Sequence, residues 1–135
     1  MENIANAPFT LDFEALGLPK TFNQIAKKSC VRLKQGEKAF WARSVGKASC
    51  GRRPLGALRK AKLILTRFSS VCPDYDGLVS SFKFVIDALV LHHVIKDDSM
   101  KIIGMPDFRW EYAPPTEGKI RVEVFELVER TRDSE

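Results

Sequence analysis

The sequence predicts a single α/β (α+β) domain over residues 1–135, with a small mixed sheet, helices packed on it, and the order β-α-β-α-β-β. Three observations predict it. A chain of 135 residues has the length of one domain with a core of its own. Hydrophobic residues make up 44% of it, enough for a globular fold and too many for a disordered chain. Segments in which apolar residues alternate are interleaved with segments in which they recur every three or four positions, the periods of strand and helix.

The first strand is expected over Pro8 to Leu16, where Phe9, Leu11 and Phe13 alternate with Thr10 and Asp12. Leu18-Pro19-Lys20-Thr21 then turns the chain. From about Phe22 to Ala48 the spacing is helical, with Leu33, Ala39–Phe40 and Val45 approximating an apolar stripe, Trp41 close to it, and Gly36 a weak point. Ser49 to Gly56 reads as a loop carrying Arg52 and Arg53. Leu58 to Phe68 reads as a second strand, with Ala61, Leu63 and Leu65 on one face and Lys60, Lys62, Ile64 and Thr66 on the other. A second helix is expected from about Gly77 to Leu91, its core face marked by Leu78, Phe82, Val85–Ile86 and Leu89. Met100 to Tyr112 reads as a third strand whose regularity Pro106 limits. Pro114 to Gly118 turns the chain into a fourth strand, Lys119 to Val128, with Ile120, Val122 and Val124 on one face. The last two strands are expected to pair as a hairpin, and residues 129–135 to fray.

Charge is distributed unevenly. Residues 1–19 contain three acids and no Lys or Arg; residues 20–67 contain 14 basic residues and one acid, Glu37; residues 68–135 contain eight basic and 13 acidic residues. A central segment of net charge +13 suits a polyanionic partner, although an ordinary solvated helix face would also carry such charge. No apolar run approaches the roughly 20 residues of a membrane span, and the N-terminus lacks the basic start and apolar core of a signal peptide. The expectation is a cytoplasmic protein without a membrane partner. Cys30, Cys50 and Cys72 form no metal-ligand spacing and are expected to be reduced, buried thiols.

The acids of the last segment are clustered. Asp74 and Asp76 stand just before the second helix, and Asp97 and Asp98 just after it. In an extended approach Asp74 and Asp76 would project to one side, and a helix that returns the chain could bring both pairs together. Carboxylates packed together repel unless a cation lies between them, and as hard oxygen ligands they suit Mg²⁺, or Mn²⁺. Asp76, Ser80, Lys83 and Asp87 draw one polar stripe along the helix, placing the Lys83 ammonium where it could hold a phosphate oxygen. Each feature has a purely structural counterpart: Asp76 as a helix N-cap, Lys83 and Asp87 as a surface ion pair, His92 and His93 as groups closing the helix end. Carboxylates that bind a metal, beside a basic surface, point to metal-assisted hydrolysis of a phosphodiester.

The segment D-Y-D-G-L-x-x-S-F-K-x-x-x-D-A-L over residues 74–89, followed by K-D-D-S at 96–99, resembles the RusA-type Holliday junction resolvases. The likeness is concentrated in residues 73–99; over residues 1–70 it rests on element order and basic charge. It implies a RusA-like fold and a small homodimeric endonuclease of phage or prophage origin, dependent on Mg²⁺, that cuts four-way DNA junctions in the bacterial or phage-infected cytoplasm. By position, Asp74, Asp76 and Asp98 match the acids of the family's metal site and Lys83 its cleavage lysine; the roles of Asp87 and Asp97 stay open. Lys27, Lys28, Arg32, Arg52 and Arg53 are then the expected contacts to DNA backbone. Two departures stand out. Gly77 occupies a place where Asn is common, and Lys83 follows Asp76 by seven residues where the short form of the motif has four. Those two spacings lie about 60° apart on a helix, so the face is kept while the lysine moves about one turn from the acids. Nucleases for flaps or forks, and a junction-binding protein without catalysis, remain alternatives.

Overall fold

The computed structural model describes residues 8–20 and 31–128, with side chains in the second stretch from Lys34 onward. It is a mixed α/β domain built on one four-stranded sheet. The strands are β1 (Thr10–Leu16), β2 (Ala61–Ser69), β3 (Asp107–Tyr112) and β4 (Lys119–Glu126). The helices are α1 (Val31–Ser49), α2 (Tyr75–Ser81), α3 (Lys83–Leu91) and the single turn α4 (Met100–Ile103). No helix among the described residues is long and apolar enough to cross a membrane. The expected helical stretch before Val31, and the tail 129–135, lie outside the described residues.

The sheet order is β1-β4-β2-β3, with β4 antiparallel to both neighbours and β2 parallel to β3. The expected hairpin of the last two strands is therefore corrected. Ile120, Val122 and Val124 of β4 are fully buried, which favours a central place with neighbours on both sides. Pro106 and the charged residues of β3 suit an edge. The connection crosses the end of β2, where Ala113 N–H donates to the Ser69 carbonyl, and turns through a 3₁₀ segment at Pro115–Glu117. The third strand is also shorter than expected: residues 100–103 form α4, and Gly104, at φ 58°, releases the chain before β3 begins.

One sheet face carries the core. Leu11 and Phe13 of β1, Val122 and Val124 of β4, and Leu63 and Leu65 of β2 share it, paired in register. Phe82 packs on Phe108 at 6.1 Å between ring centroids. On α1 the buried positions are Trp41, Val45 and Ser49, a spacing of four, while Ala39 and Phe40 are exposed; the expected stripe is thus displaced onto Trp41. The polar ends of that core are tied. Glu37 accepts from the Trp41 indole N–H and from the Lys20 backbone N–H, both at 2.9 Å. Buried Arg67 donates to the Pro19 carbonyl at 2.7 Å, and desolvation lowers its pKa while Glu37 opposes that shift. The single acid of the basic segment is thus structural.

Helix ends are closed locally. After α3, His93 N–H donates to Val90 O and Val94 N–H to Leu89 O, a Schellman arrangement with His93 at φ 61° where glycine is usual. His92 donates from Nε2 to the Ala42 carbonyl of α1 at 2.8 Å, and only a glycine at position 46 leaves room for its ring, since a Cβ there would lie 2.7 Å from Nε2. His92 therefore joins α3 to α1 instead of closing the end of its own helix. Cys50 and Cys72 are free, as expected, but exposed where burial was expected; Cys30 lies outside the described residues.

The opposite sheet face is polar. Arg121 grips Asp12 with two hydrogen bonds of 3.0 and 2.6 Å, Lys119 bonds Glu14, and Lys62 bonds Asp107. The Arg121 hydrogen bond holds the Asp12 carboxyl below its ordinary pKa, and Lys62 does the same for Asp107. Because both folded pKa values are depressed, the associated stability is present above the unfolded value of about 3.9 and is lost as pH falls through the lower folded values. Replacing both with Asn should flatten the decline in melting temperature below about pH 4; a decline as steep as wild type would contradict this. His93→Gly should raise stability by about 1 kcal/mol by removing a side chain from left-handed backbone, measured as an upward shift in denaturant midpoint.

Candidate functional site

Parallel pairing of β2 and β3 requires a crossover, and here residues 70–106 supply it, carrying Asp74, Asp76, Lys83, Asp87, Asp97 and Asp98. The crossover leaves the carboxyl end of β2, the end at which open α/β sheets bind ligands. There the chain enters α2 at once. Asp74, in extended backbone, is the N-cap, and its Oδ1 accepts from Gly77 N–H at 2.7 Å. The cap expected at Asp76 thus belongs to Asp74. Asp76 sits in the first helical turn, so the two acids do not alternate along an extended segment. Asp74 keeps Oδ2 beyond its cap bond, and Asp76 is exposed.

Phe82 ends α2 and precedes α3, with φ −90° and ψ 3°, so the expected single helix is two short ones. Lys83 opens α3 on the exposed side and donates to Asp87 Oδ1 at 3.4 Å. Lys83 is 64% exposed and such a pair contributes little, about 0–1 kcal/mol, so its ammonium is easily drawn to a better partner.

Asp97 and Asp98 are exposed on the loop after α3. Two depressions meet at Asp98. One, of about 240 Å³, is lined by Tyr75, Val79, Lys83, Asp98 and Met105 among others; Tyr75 is the residue between Asp74 and Asp76. The other, of about 420 Å³, lies between α1 and α3 and is lined by Lys38, Asp87, Asp97 and Asp98 over an apolar floor that includes Ala42 and Ala88. Asp98 therefore shares one depression with Lys83 and another with Asp87 and Asp97. Asp98 also shares the smaller depression with Tyr75, the residue between Asp74 and Asp76. Among the described residues, no three His, Cys, Asp or Glu side chains stand together as a ligand set.

The donors nevertheless fit Mg²⁺ by chemistry. Mg²⁺ keeps several waters and is commonly held by one or two carboxylates together with substrate phosphate. Asp74 Oδ2 and Asp76 offer such hard oxygens at the start of α2, and Asp98 offers another along the depression that Tyr75 lines.

The expected DNA contacts divide. Lys27 and Lys28 lie outside the described residues, and Arg32 lies in α1. Arg52 and Arg53 are exposed but already engaged. Arg52 donates to Ala48 O at 2.6 Å and Asp12 O at 3.1 Å; Arg53 donates to Gly46 O at 2.8 Å and Ser49 Oγ at 3.0 Å. With Cys50 N–H on Lys47 O and Arg52 N–H on Ser49 O, they satisfy all four carbonyls left open at the end of α1. Exposed basic side chains on α1 remain at Lys34, Lys38, Arg43 and Lys47. Lys38 belongs to the basic helix by sequence, and the packing of α1 against α3 brings it beside Asp97 and Asp98.

No protein-family model matches the chain, and no curated protein matches it.

The cap gives a specific expectation. Asp74→Ala should destabilise the protein by about 1 kcal/mol, whereas Asp74→Asn, an equally good cap, should leave stability near wild type. Equal loss in both variants, measured by chemical denaturation without metal, would contradict the capping role.

Proposed function

We propose that the protein is a Mg²⁺-dependent, structure-specific DNA endonuclease that hydrolyses phosphodiesters at four-way junctions and works as a symmetric homodimer. The observation that carries this reading is that Asp98 and Lys83 share the depression lined by Tyr75, within a segment whose motif resembles the RusA-type resolvases. A carboxylate and a mobile ammonium in one open depression suit a phosphate better than a neutral ligand. The exposed basic face of α1 is a further support, since phosphate contacts supply most of the affinity for DNA.

In this reading Asp74, Asp76 and Asp98 would hold Mg²⁺. Held there, the ion would neutralise phosphate charge and ease deprotonation of the water that attacks phosphorus. Lys83 would leave its weak pairing with Asp87 to neutralise a non-bridging phosphate oxygen. Asp74 keeps the start of α2 rigid through its cap, so Asp76 is held in place by the first turn. A two-fold dimer presents two such sites to the two opposed strands of a junction. The reaction belongs where DNA is handled, the cytoplasm of a bacterial or infected cell.

Synthetic four-way junctions incubated with Mg²⁺ should be cut by the wild type and left intact by Asp76→Asn. Equal cutting by both proteins, or none by the wild type, would sink the reading. Faster cutting of flaps or forks at the same salt would move the substrate to other branched DNA. Tight, salt-sensitive binding without turnover would make the protein a junction binder.

A further inference from the structure

The outer edge of β3 is open. β3 ends the sheet, its one strand neighbour among the described residues is β2, and their register from Ile64↔Asp107 to Ser69↔Tyr112 runs without a bulge. Alternate residues of β3 therefore turn N–H and C=O groups away from β2, where another strand can take them. The core-side row of Phe108, Trp110 and Tyr112 is only partly covered, and Tyr112 is 64% exposed. On the polar side Arg109 and Glu111 are exposed. Lys62 holds the neighbouring Asp107 at 3.0 Å, closer than Arg109 does at 3.5 Å, so Arg109 is not needed there.

The order of these residues is self-complementary. In an antiparallel pair of identical strands related by a two-fold axis, positions equally far on either side of the centre face each other. Centred on Trp110, Arg109 faces Glu111 of the second copy, and Glu111 faces its Arg109. Opposite charges thus meet twice. On the core side Phe108 and Tyr112 face each other twice, a favoured cross-strand aromatic pairing. Centred on Arg109 or on Glu111, like charges meet at the axis. The prolines select the same centre. Pro106 and Pro114 lack the N–H of a ladder and bound the segment, and Trp110 is midway between them. The other edge of the sheet lacks this match: β1 paired about its midpoint Phe13 sets Asp12 against Glu14, like against like.

We propose that the β3 edge is the surface through which two copies of this chain associate, antiparallel about Trp110, joining two four-stranded sheets into one. This rests on the homodimeric reading above and gives it a surface. Both cores then lie on one side of the joined sheet. Phe108 lines the depression that holds Lys83 and Asp98, so Tyr112 of the second copy stands beside that wall, and each subunit helps to shape the other's site. The two copies of Phe108 lie four strand positions apart, about 13 Å along the strand direction.

The test is analytical ultracentrifugation of the full chain without DNA or Mg²⁺. The wild type should be a dimer. Arg109→Glu and Glu111→Arg should each raise the dimer dissociation constant about tenfold or more, because each sets like charges opposite one another. An equal mixture of the two variants should regain wild-type association, since one copy then carries two acids and the other two arginines at the facing positions. The double variant should also associate as the wild type does. Unchanged association of both single variants would overturn the β3 surface and leave a dimer through another face. Single variants that stay monomeric on mixing would overturn it too, as an effect on folding. A monomeric wild type would overturn the surface and the homodimer together. None of these outcomes depends on catalysis, which junction cleavage in Mg²⁺ tests separately.

Discussion

Burial of β4 between β1 and β2 is the constraint on which the remaining geometry depends. Its three inward residues, Ile120, Val122 and Val124, are fully buried and meet Leu11, Phe13 and Ala15 on one side and Leu63, Leu65 and Arg67 on the other. With both sides of β2 claimed, by β4 and β3, the last connection must pass over the end of β2. β3 is then forced into parallel pairing, and parallel pairing demands a long crossover. All the acids singled out from the sequence as a site lie in that crossover. Their position is thus a consequence of which strand occupies the centre of the sheet.

Interactions that hold the site are mostly ordinary closing devices for helix ends. Asp74 closes the start of α2, a Schellman turn closes α3, and Arg52 and Arg53 close α1. Each satisfies backbone groups that would otherwise be left open. Two of these devices use residues that sequence reasoning assigned to ligands, a carboxylate and a pair of arginines. A residue can serve both purposes only where its second polar atom is left over, as Asp74 Oδ2 is. Each arginine likewise spends two of its five N–H donors on these contacts.

Periodicity made the strands legible because alternation is a local property. Ala61, Leu63 and Leu65 lie on the core face as their spacing required, and so do Leu78, Phe82, Val85 and Leu89. Pairing was not legible. Nothing in residues 107–126 states that β3 will lie beside β2; that choice is made by competition for the centre of the sheet. The stripe on α1 was misplaced by one position because Ala39 and Phe40 are apolar yet exposed, while Trp41 finds a partner for its indole in Glu37. The acids and Lys83 stood out as candidates because they lie in one contiguous segment. That Lys38 lies beside Asp87, Asp97 and Asp98 was not legible, since they are some 50 to 60 positions away and meet it only through the packing of α1 on α3. Arg67 had a weak signal, its place two residues after Leu65 on the same face, but charge argued for the opposite side.

Phe82 has a further consequence. Because it interrupts the helical ladder while remaining fully buried, the acids at the start of α2 and the lysine at the start of α3 belong to two separate short rods, joined at a fixed pivot. A continuous helix would couple every inserted residue to a rotation of everything downstream. A pivot breaks that coupling: length can change on one rod while the other keeps its phase, provided an aromatic ring still anchors the joint. The seven positions from Asp76 to Lys83 run across that joint, so the spacing between this carboxylate and this ammonium is set by the pivot and not by one helical ladder.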